Sequence, residues 1–179
     1  MKKINALLLL LLLIIIPSCE KDDICAETTP TTPKLILRFF DITSQEDTKS
    51  ATGLRVTGLD DINQDIEISG LNFVTTDSIN LPLRTDANLT KFTFHKDYAF
   101  NDNGTPQDPS DDIISGNPDI VTISYQREDV YVSRACGFKT VFNNLTISVE
   151  LDSDNWIINS DIINPIVENE TKAHVKIFH

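Results

Sequence analysis

Strict alternation of apolar and polar side chains is the feature that most limits what this 179-residue chain can fold into. The alternation has no exception over residues 145–151, and it recurs over 121–126. Over residues 90–95 it places Phe92 and Phe94 on one face. Successive side chains of a β-strand point to opposite faces, so this period of two predicts half-buried strands rather than helices.

Two further segments predict where strands lie within a sheet. Leu35–Phe40 is apolar on both faces apart from Arg38, which predicts a central strand. The segment 79–84 also alternates, but Pro82 cannot donate a hydrogen bond to a strand ladder. We therefore expect 79–84 to form an edge strand.

The remaining segments complete an all-β pattern in which no window shows a sustained helical stripe. About ten short strands separated by turn-forming residues predict an antiparallel β-sandwich of immunoglobulin-like or Greek-key style. A small β-barrel is the alternative. The other strand candidates lie at 54–57, 71–75, 130–134, 156–159 and 173–178, and turn residues lie at 58–61, 143–144 and 152–155.

The N-terminus has the pattern of a secretory signal peptide. Lys2 and Lys3 precede an apolar run over 4–16, which is too short for a transmembrane helix of about 20 residues. Cys19 follows a small residue and resembles the cysteine of a bacterial lipobox, which is lipidated and begins the mature chain. Pro17 is uncommon there, so an ordinary cleaved signal remains the alternative.

The charged residues after Cys19 resemble the export signal of surface lipoproteins in the Bacteroidota. They predict a lipid-anchored protein of the outer membrane, at the cell surface rather than on the periplasmic face. We expect a removed signal at 1–18, a lipidated tether at 19–33 and one all-β domain at 34–179. The export signal comprises Glu20, Lys21, Asp22 and Asp23.

Acidic residues dominate the charge of the chain. There are 27 Asp and Glu against 15 Lys and Arg, a formal net charge of −12. Nucleic-acid binding requires clustered basic residues, so this balance excludes it and favours a soluble exported surface.

One acidic loop is a weak candidate for a calcium site. Calcium takes oxygen ligands at alternating loop positions, with a glycine to turn the chain. Aligning Gly104 with that glycine puts Ala99 where the first carboxylate belongs, so the helix–loop–helix motif fails. A looser site and a solvated hairpin tip both remain open. The candidate ligands are Asp102, Asn103, Asp108, Asp111 and Asp112.

Three cysteines allow a simple interpretation. If Cys19 carries lipid, Cys25 and Cys136 remain as a pair, and export places them where disulfides persist. The alternative is that Cys136 is a nucleophile, which would need a nearby histidine base that no local motif supplies.

Other chemistry-bearing residues give no local motif for an enzyme or a zinc site. The three histidines lack metal-ligand spacing, and we expect them to be ordinary surface residues. Aromatic side chains could stack on a glycan, or they could fill the core of the sandwich. The histidines are His95, His174 and His179, and the aromatic candidates are Tyr98, Phe100, Tyr125, Tyr131 and Trp156.

Two stretches together resemble an uncharacterised lipoprotein family of the Bacteroidota: residues 19–25, and 129–139 with the segment Arg134-Ala135-Cys136-Gly137. The resemblance implies no activity or cofactor, but it supports the Cys25–Cys136 bridge and the cell-envelope location. We expect a non-enzymatic domain that binds an outer-membrane protein, such as a β-barrel. A glycan- or calcium-binding module is the alternative, and an enzyme is the third.

Overall fold

The computed structural model describes residues 24–179, so Cys19 and the predicted export signal lie outside it. Within 24–179, no helix is long and apolar enough to cross a membrane. The described residues belong to two compact units. One contains 24–29 and 131–138, and the other contains 30–130 and 139–179.

The larger unit is almost entirely β-structure, and it is a β-sandwich rather than a barrel. Its two sheets have separate edges, because neither closes on itself. The strands are β1 Leu35–Phe40, β2 Ala51–Leu59, β3 Asp65–Glu67, β4 Val74–Thr76, β5 Ser78–Leu81, β6 Leu89–Asn101, β7 Ile113–Ser133, β8 Gly137–Val149, β9 Asn159–Ile162 and β10 Val175–Phe178.

The four-stranded sheet has the order β5-β1-β10-β9. As predicted, Leu35–Phe40 is a central strand. The segment 79–84 was expected to form an edge strand, and its first part does so within β5, but the strand ends at Leu81 and Pro82 lies just beyond it. One pairing departs from the antiparallel expectation, since β1 and β10 run parallel, with Leu37 opposite Val175. The second sheet has the order β3-β2-β6-β7-β8, and β4 also pairs with β2.

The core consists of the inward-facing side chains of both sheets. Leu35, Leu37 and Phe39 of β1 are fully buried, as are Phe94 of β6 and Ile123 of β7. Each such side chain contributes about 1.5–3 kcal/mol by leaving water. The period-two pattern therefore identified the inner faces of β6 and β7 correctly. It failed at the end of 145–151, because β8 ends at Val149 and Leu151 is 94% exposed.

The predicted boundaries of several elements were wrong, among them a turn in β8. Asn143 and Asn144 were expected to form a turn, but β8 continues through them, and Asn144 takes a positive φ of 55° inside the strand. Asparagine tolerates this conformation better than most residues. The strand therefore continues through a local irregularity at Asn144 and does not reverse direction there.

The segment 156–159 was also expected to be a strand, and only Asn159 belongs to one. Two of its N–H donors bond to β6 and β7 of the second sheet instead. The indole of Trp156 donates to the Phe94 carbonyl at 3.0 Å, and the Ile157 amide donates to the Asp119 carboxylate at 2.8 Å. Burial raises the pKa of Asp119 above its usual value.

The prediction that the histidines lie on the surface was wrong for two of the three. His174 and His179 are buried, while His95 is partly exposed. The Nδ1 atom of His174 accepts a hydrogen bond from the Ile36 amide at 3.0 Å, so this side chain caps β1. A polar side chain can be buried at a modest cost in free energy when it has a hydrogen-bond partner. The alternation pattern does not reveal such a partner.

We predict that His174 makes stability depend on pH. Burial lowers the pKa of His174 below the usual 6.5, so the unfolded chain binds the proton first as the pH falls. The free energy of unfolding should therefore decrease from pH 6.5 downward, through the lowered pKa. Urea unfolding at a series of pH values should show a steeper loss for the wild type than for His174→Gln. Parallel curves would contradict the prediction.

Candidate ligand-binding cleft

A cleft of about 620 Å³ opens in the larger unit and is lined by residues of both sheets. The short edge strands β3 and β5 each contribute to its wall, as do the end of β2 and the start of β6. The volume lies in the range of about 300–1,000 Å³ that is usual for small-ligand sites.

The floor of the cleft is apolar. Leu59 at the end of β2, Leu83 after β5 and Phe92 in β6 line it and are buried. Ile66 in β3 lines the wall and is 55% exposed. A ligand could cover this exposed apolar surface, and burying such surface contributes about 25 cal/mol of favourable free energy per Å².

Three charged side chains form part of the lining. The Arg84 guanidinium donates to both carboxylate oxygens of Asp86 at 2.9 Å, and a third hydrogen bond goes to Asp61. The hydrogen bond from Arg84 is the main cause that lowers the pKa of Asp86 to about 2. The bonds to Asp86 and Asp61 raise the pKa of Arg84. Arg84 and Asp86 are thus fully ionised at neutral pH.

The backbone of Arg84 is held by a closed ring of three hydrogen bonds. Its amide donates to the Thr90 hydroxyl at 2.9 Å, and its carbonyl accepts from the Tyr125 hydroxyl at 2.9 Å. The two hydroxyls are 2.7 Å apart and both residues are buried. Burial raises the pKa of Tyr125, which keeps its hydroxyl protonated and able to donate.

The segment after Arg84 is fastened to β7 at further points. Arg127 donates to the Asn88 side chain at 2.9 Å and to the Thr85 carbonyl. The Tyr125 amide donates to the Asn88 carbonyl at 2.9 Å. These contacts hold the rim of the cleft in one geometry without a ligand, which lowers the entropic cost of binding.

The charges that line the cleft do not balance. Lys34 and Arg84 face four carboxylates, so the lining carries a formal charge of −2. Asp60 also has a structural part, since its Oδ1 accepts the amides of Ile62 and Gln64 and shapes the adjoining loop. The four carboxylates are those of Asp60, Asp61, Glu67 and Asp86.

The predicted cysteine pair is present in the smaller unit. A disulfide joins Cys25 to Cys136, with an S–S distance of 2.05 Å and a sequence separation of 111. Cys136 lies in the turn between β7 and β8. Its sulfur is engaged in the disulfide, so it is not the free thiol that the nucleophile alternative requires.

The predicted acidic loop uses its oxygens internally. The Asp102 side chain accepts the Gly104 amide at 3.0 Å, and that of Asp108 accepts the Ser110 amide at 3.1 Å. The Asp111 carboxylate accepts the Thr105 hydroxyl, and the Asn103 side-chain amide donates to the Asp111 carbonyl. Asp112 follows the short 3-10 helix Pro109–Asp111. Within 24–179, no three His, Cys, Asp or Glu side chains are grouped to hold a metal ion.

The aromatic residues considered for glycan stacking do not share one surface. Trp156 and Tyr125 are buried in the core, whereas Phe100 and Tyr131 are exposed. Tyr98 packs against the His95 ring at 5.0 Å and against the Arg55 guanidinium at 5.1 Å. The structure thus assigns Trp156 and Tyr125 to packing.

Sequence reasoning missed the cleft. Asp60 and Asp61 were interpreted as turn formers, and Leu83 and Arg84 as strand residues. The second description was wrong, because β5 ends at Leu81, and neither description carried a functional signal. Arg84 and Asp61 are 23 positions apart, and Arg84 and Tyr125 are 41 apart. Only the packing of the two sheets brings them together.

Comparison with known proteins gives one match. A family model described as a family of unknown function, DUF6452, matches residues 53–179. No curated protein and no solved structure shows significant similarity to the chain. The matched range includes all the cleft residues discussed above except Lys34, and it includes the Arg134–Gly137 segment on which the predicted resemblance depended in part. The match covers well over half of the chain, so the protein belongs to DUF6452, a family of unknown function.

Proposed function

We propose that this chain is a lipid-anchored binding domain of the bacterial cell envelope. Its cleft takes a small apolar ligand whose polar end is not acidic. The observation that carries the proposal is the cleft itself, with a buried apolar floor and a rim that is already held in place.

The floor determines the apolar part of the ligand. Leu59, Leu83 and Phe92 form an apolar floor that makes no hydrogen bonds, so a polar group placed against it would lose its water without compensation. An apolar group has no hydrogen bonds to water to lose, and its transfer out of water is favourable.

The charges of the cleft determine the polar end. A lining of formal charge −2 in a chain of −12 repels an acidic group. Arg84 does not offset this repulsion, because Asp61 and Asp86 already neutralise it. A neutral or basic group at the rim avoids the repulsion.

The state of the carboxylates supports binding over acid–base catalysis. A general acid or base works best when its pKa lies near the working pH. Pairing with Arg84 holds the pKa of Asp86 at about 2, so this carboxylate keeps its charge at neutral pH. The Asp61 carboxylate also pairs with Arg84.

The anchor is proposed from the N-terminal sequence. Cys19 follows a basic and apolar segment of signal-peptide type, and four charged residues come after it. Two or more acyl chains hold a protein firmly on a bilayer, whereas one chain holds it only marginally. We place the protein at the outer membrane, facing the cell surface.

A second candidate is a protein partner in the outer membrane. Within the described residues, β5 pairs only with β1, so its other edge is open beside the cleft. An open edge can accept a strand from another chain through main-chain hydrogen bonds.

We predict that Nile red, a neutral apolar dye, binds the cleft. Ile66→Glu adds a carboxylate to the apolar wall and should weaken saturable dye binding at least about tenfold, as measured by fluorescence titration. Ile62→Glu is the matched control, because Ile62 lies in the adjoining loop, is 72% exposed and does not line the cleft. Equal binding by both variants would refute the cleft proposal.

We predict that Cys19 carries lipid. Metabolic labelling of cells with palmitate should label the wild type, and Cys19→Ala should abolish the label. Replacing Glu20, Lys21, Asp22 and Asp23 by neutral residues should keep the label but reduce protease accessibility in intact cells. An unlabelled wild-type protein would exclude the anchor.

We predict that a photo-crosslinker at Asn80 of β5 captures an outer-membrane protein in intact cells if the second candidate holds. The same group at Leu151, which is 94% exposed, is the control for random encounter. Mass spectrometry would compare the two sets of products. Identical products from both positions would count against a strand-adding partner.

A further inference from the structure

The smaller unit presents large apolar side chains to solvent. We use the term hairpin tip for its described residues, 24–29 and 131–138. Tyr131 is 60% exposed, Phe138 66% and Ile24 82%. The rings of Tyr131 and Phe138 lie edge to face, with centroids 5.5 Å apart. The hairpin tip thus exposes a pair of aromatic rings in edge-to-face contact.

Covalent and hydrogen bonds hold the hairpin tip together. The disulfide between Cys25 and Cys136 ties the N-terminal segment to the turn, and the Cys136 amide donates to the Ser133 hydroxyl at 3.1 Å. Gly137 follows with φ of 70°, a left-handed conformation that favours glycine. Ile24 directly precedes Cys25 in the chain, so the disulfide also restrains its position.

The hairpin tip differs in charge from the rest of the chain. Among its residues only Glu27 and Arg134 are of charged types, so its formal charge is zero. The whole chain carries −12. Anionic surfaces repel the acidic parts of the chain, and this repulsion is absent at the hairpin tip.

The chain length limits how far the hairpin tip can be from an anchor at Cys19. Cys19 precedes Cys25 by six residues. Even fully extended, this length spans at most about 20 Å. The polar layer on each side of a bilayer is about 5–7 Å thick. A lipid on Cys19 would therefore keep Cys25, and Cys136 bonded to it, within about 20 Å of that layer, so the hairpin tip can reach it.

We propose that the hairpin tip docks into the interfacial layer of the membrane that carries the anchor, with Tyr131, Phe138 and Ile24 among the lipid headgroups. Amphipathic aromatic rings favour this layer, and a tyrosine can keep its hydroxyl in water. The inference rests on the anchor proposed at Cys19. It adds a second, non-covalent contact with the bilayer.

The test supplies the anchor chemically, so it does not depend on whether cells lipidate Cys19. With Cys25 and Cys136 in the disulfide, the thiol of Cys19 in the mature chain can be coupled to a maleimide lipid in phosphatidylcholine vesicles. Tyr131→Trp and Phe138→Trp then report depth through quenching by brominated phosphatidylcholine. The buried Trp156 of the unsubstituted protein supplies the baseline to subtract.

Docking predicts that the added emission at 131 and at 138 falls about twofold or more in brominated vesicles. Leu151→Trp is the control, because Leu151 is exposed among Glu150, Asp152 and Asp154 and should stay in water. Quenching at 131 and 138 no stronger than at 151 would overturn the proposal. That result would leave palmitate labelling of Cys19 unaffected, so failure of the docking and failure of the anchor are distinguishable.

Discussion

The larger unit depends on the burial of two apolar sheet faces against each other. In β6, Phe92 and Phe94 point inward while Lys91 and Thr93 do not. A slip of one residue in the register would bury the lysine and expose both phenylalanines. The inner face therefore specifies the register, with Val56 opposite Phe94 and Phe92 opposite Val121.

The same constraint explains how a cleft can exist beside a well-packed core. The edge strands β3 and β5 have only three and four residues, so apolar side chains near their ends lack a covering partner. Hydrogen bonds of the Arg84 backbone then hold the rim, since its amide donates to the Thr90 hydroxyl and its carbonyl accepts from the Tyr125 hydroxyl. The cleft thus results from two short edge strands and from the closed set of three hydrogen bonds among Arg84, Thr90 and Tyr125.

The alternation of side chains predicted the fold class and the core, since it reports directly which face leaves water. The apolar residues on both faces of β1 predicted a central strand, and Pro82, which cannot donate to a strand ladder, predicted an edge position for the segment that includes β5. The alternation pattern was wrong where a buried polar group finds a partner. His174 is buried because it accepts the Ile36 amide, and 156–158 leaves strand geometry because Asp119 and Phe94 take its donors.

The candidate sites divide in a similar way. Cysteine count and the signal pattern are local properties of the chain, so the pair Cys25 and Cys136 could be predicted from them. The acidic loop also gave a local signal, but composition does not show that Asp102, Asp108 and Asp111 are already occupied by neighbouring donors.

By itself, the sequence determined that this chain is all-β and which face of its alternating strands lies inward, and it predicted that Cys25 and Cys136 pair. These properties depend on side-chain period and residue count, and both can be read along the chain. Tertiary structure alone decided that Asp61, Arg84 and Tyr125 meet at one cleft, because that meeting depends on how two sheets pack across separations of 23 and 41 residues. It also decided that Tyr131 and Phe138 are in edge-to-face contact and exposed to solvent, since exposure is a property of the folded surface.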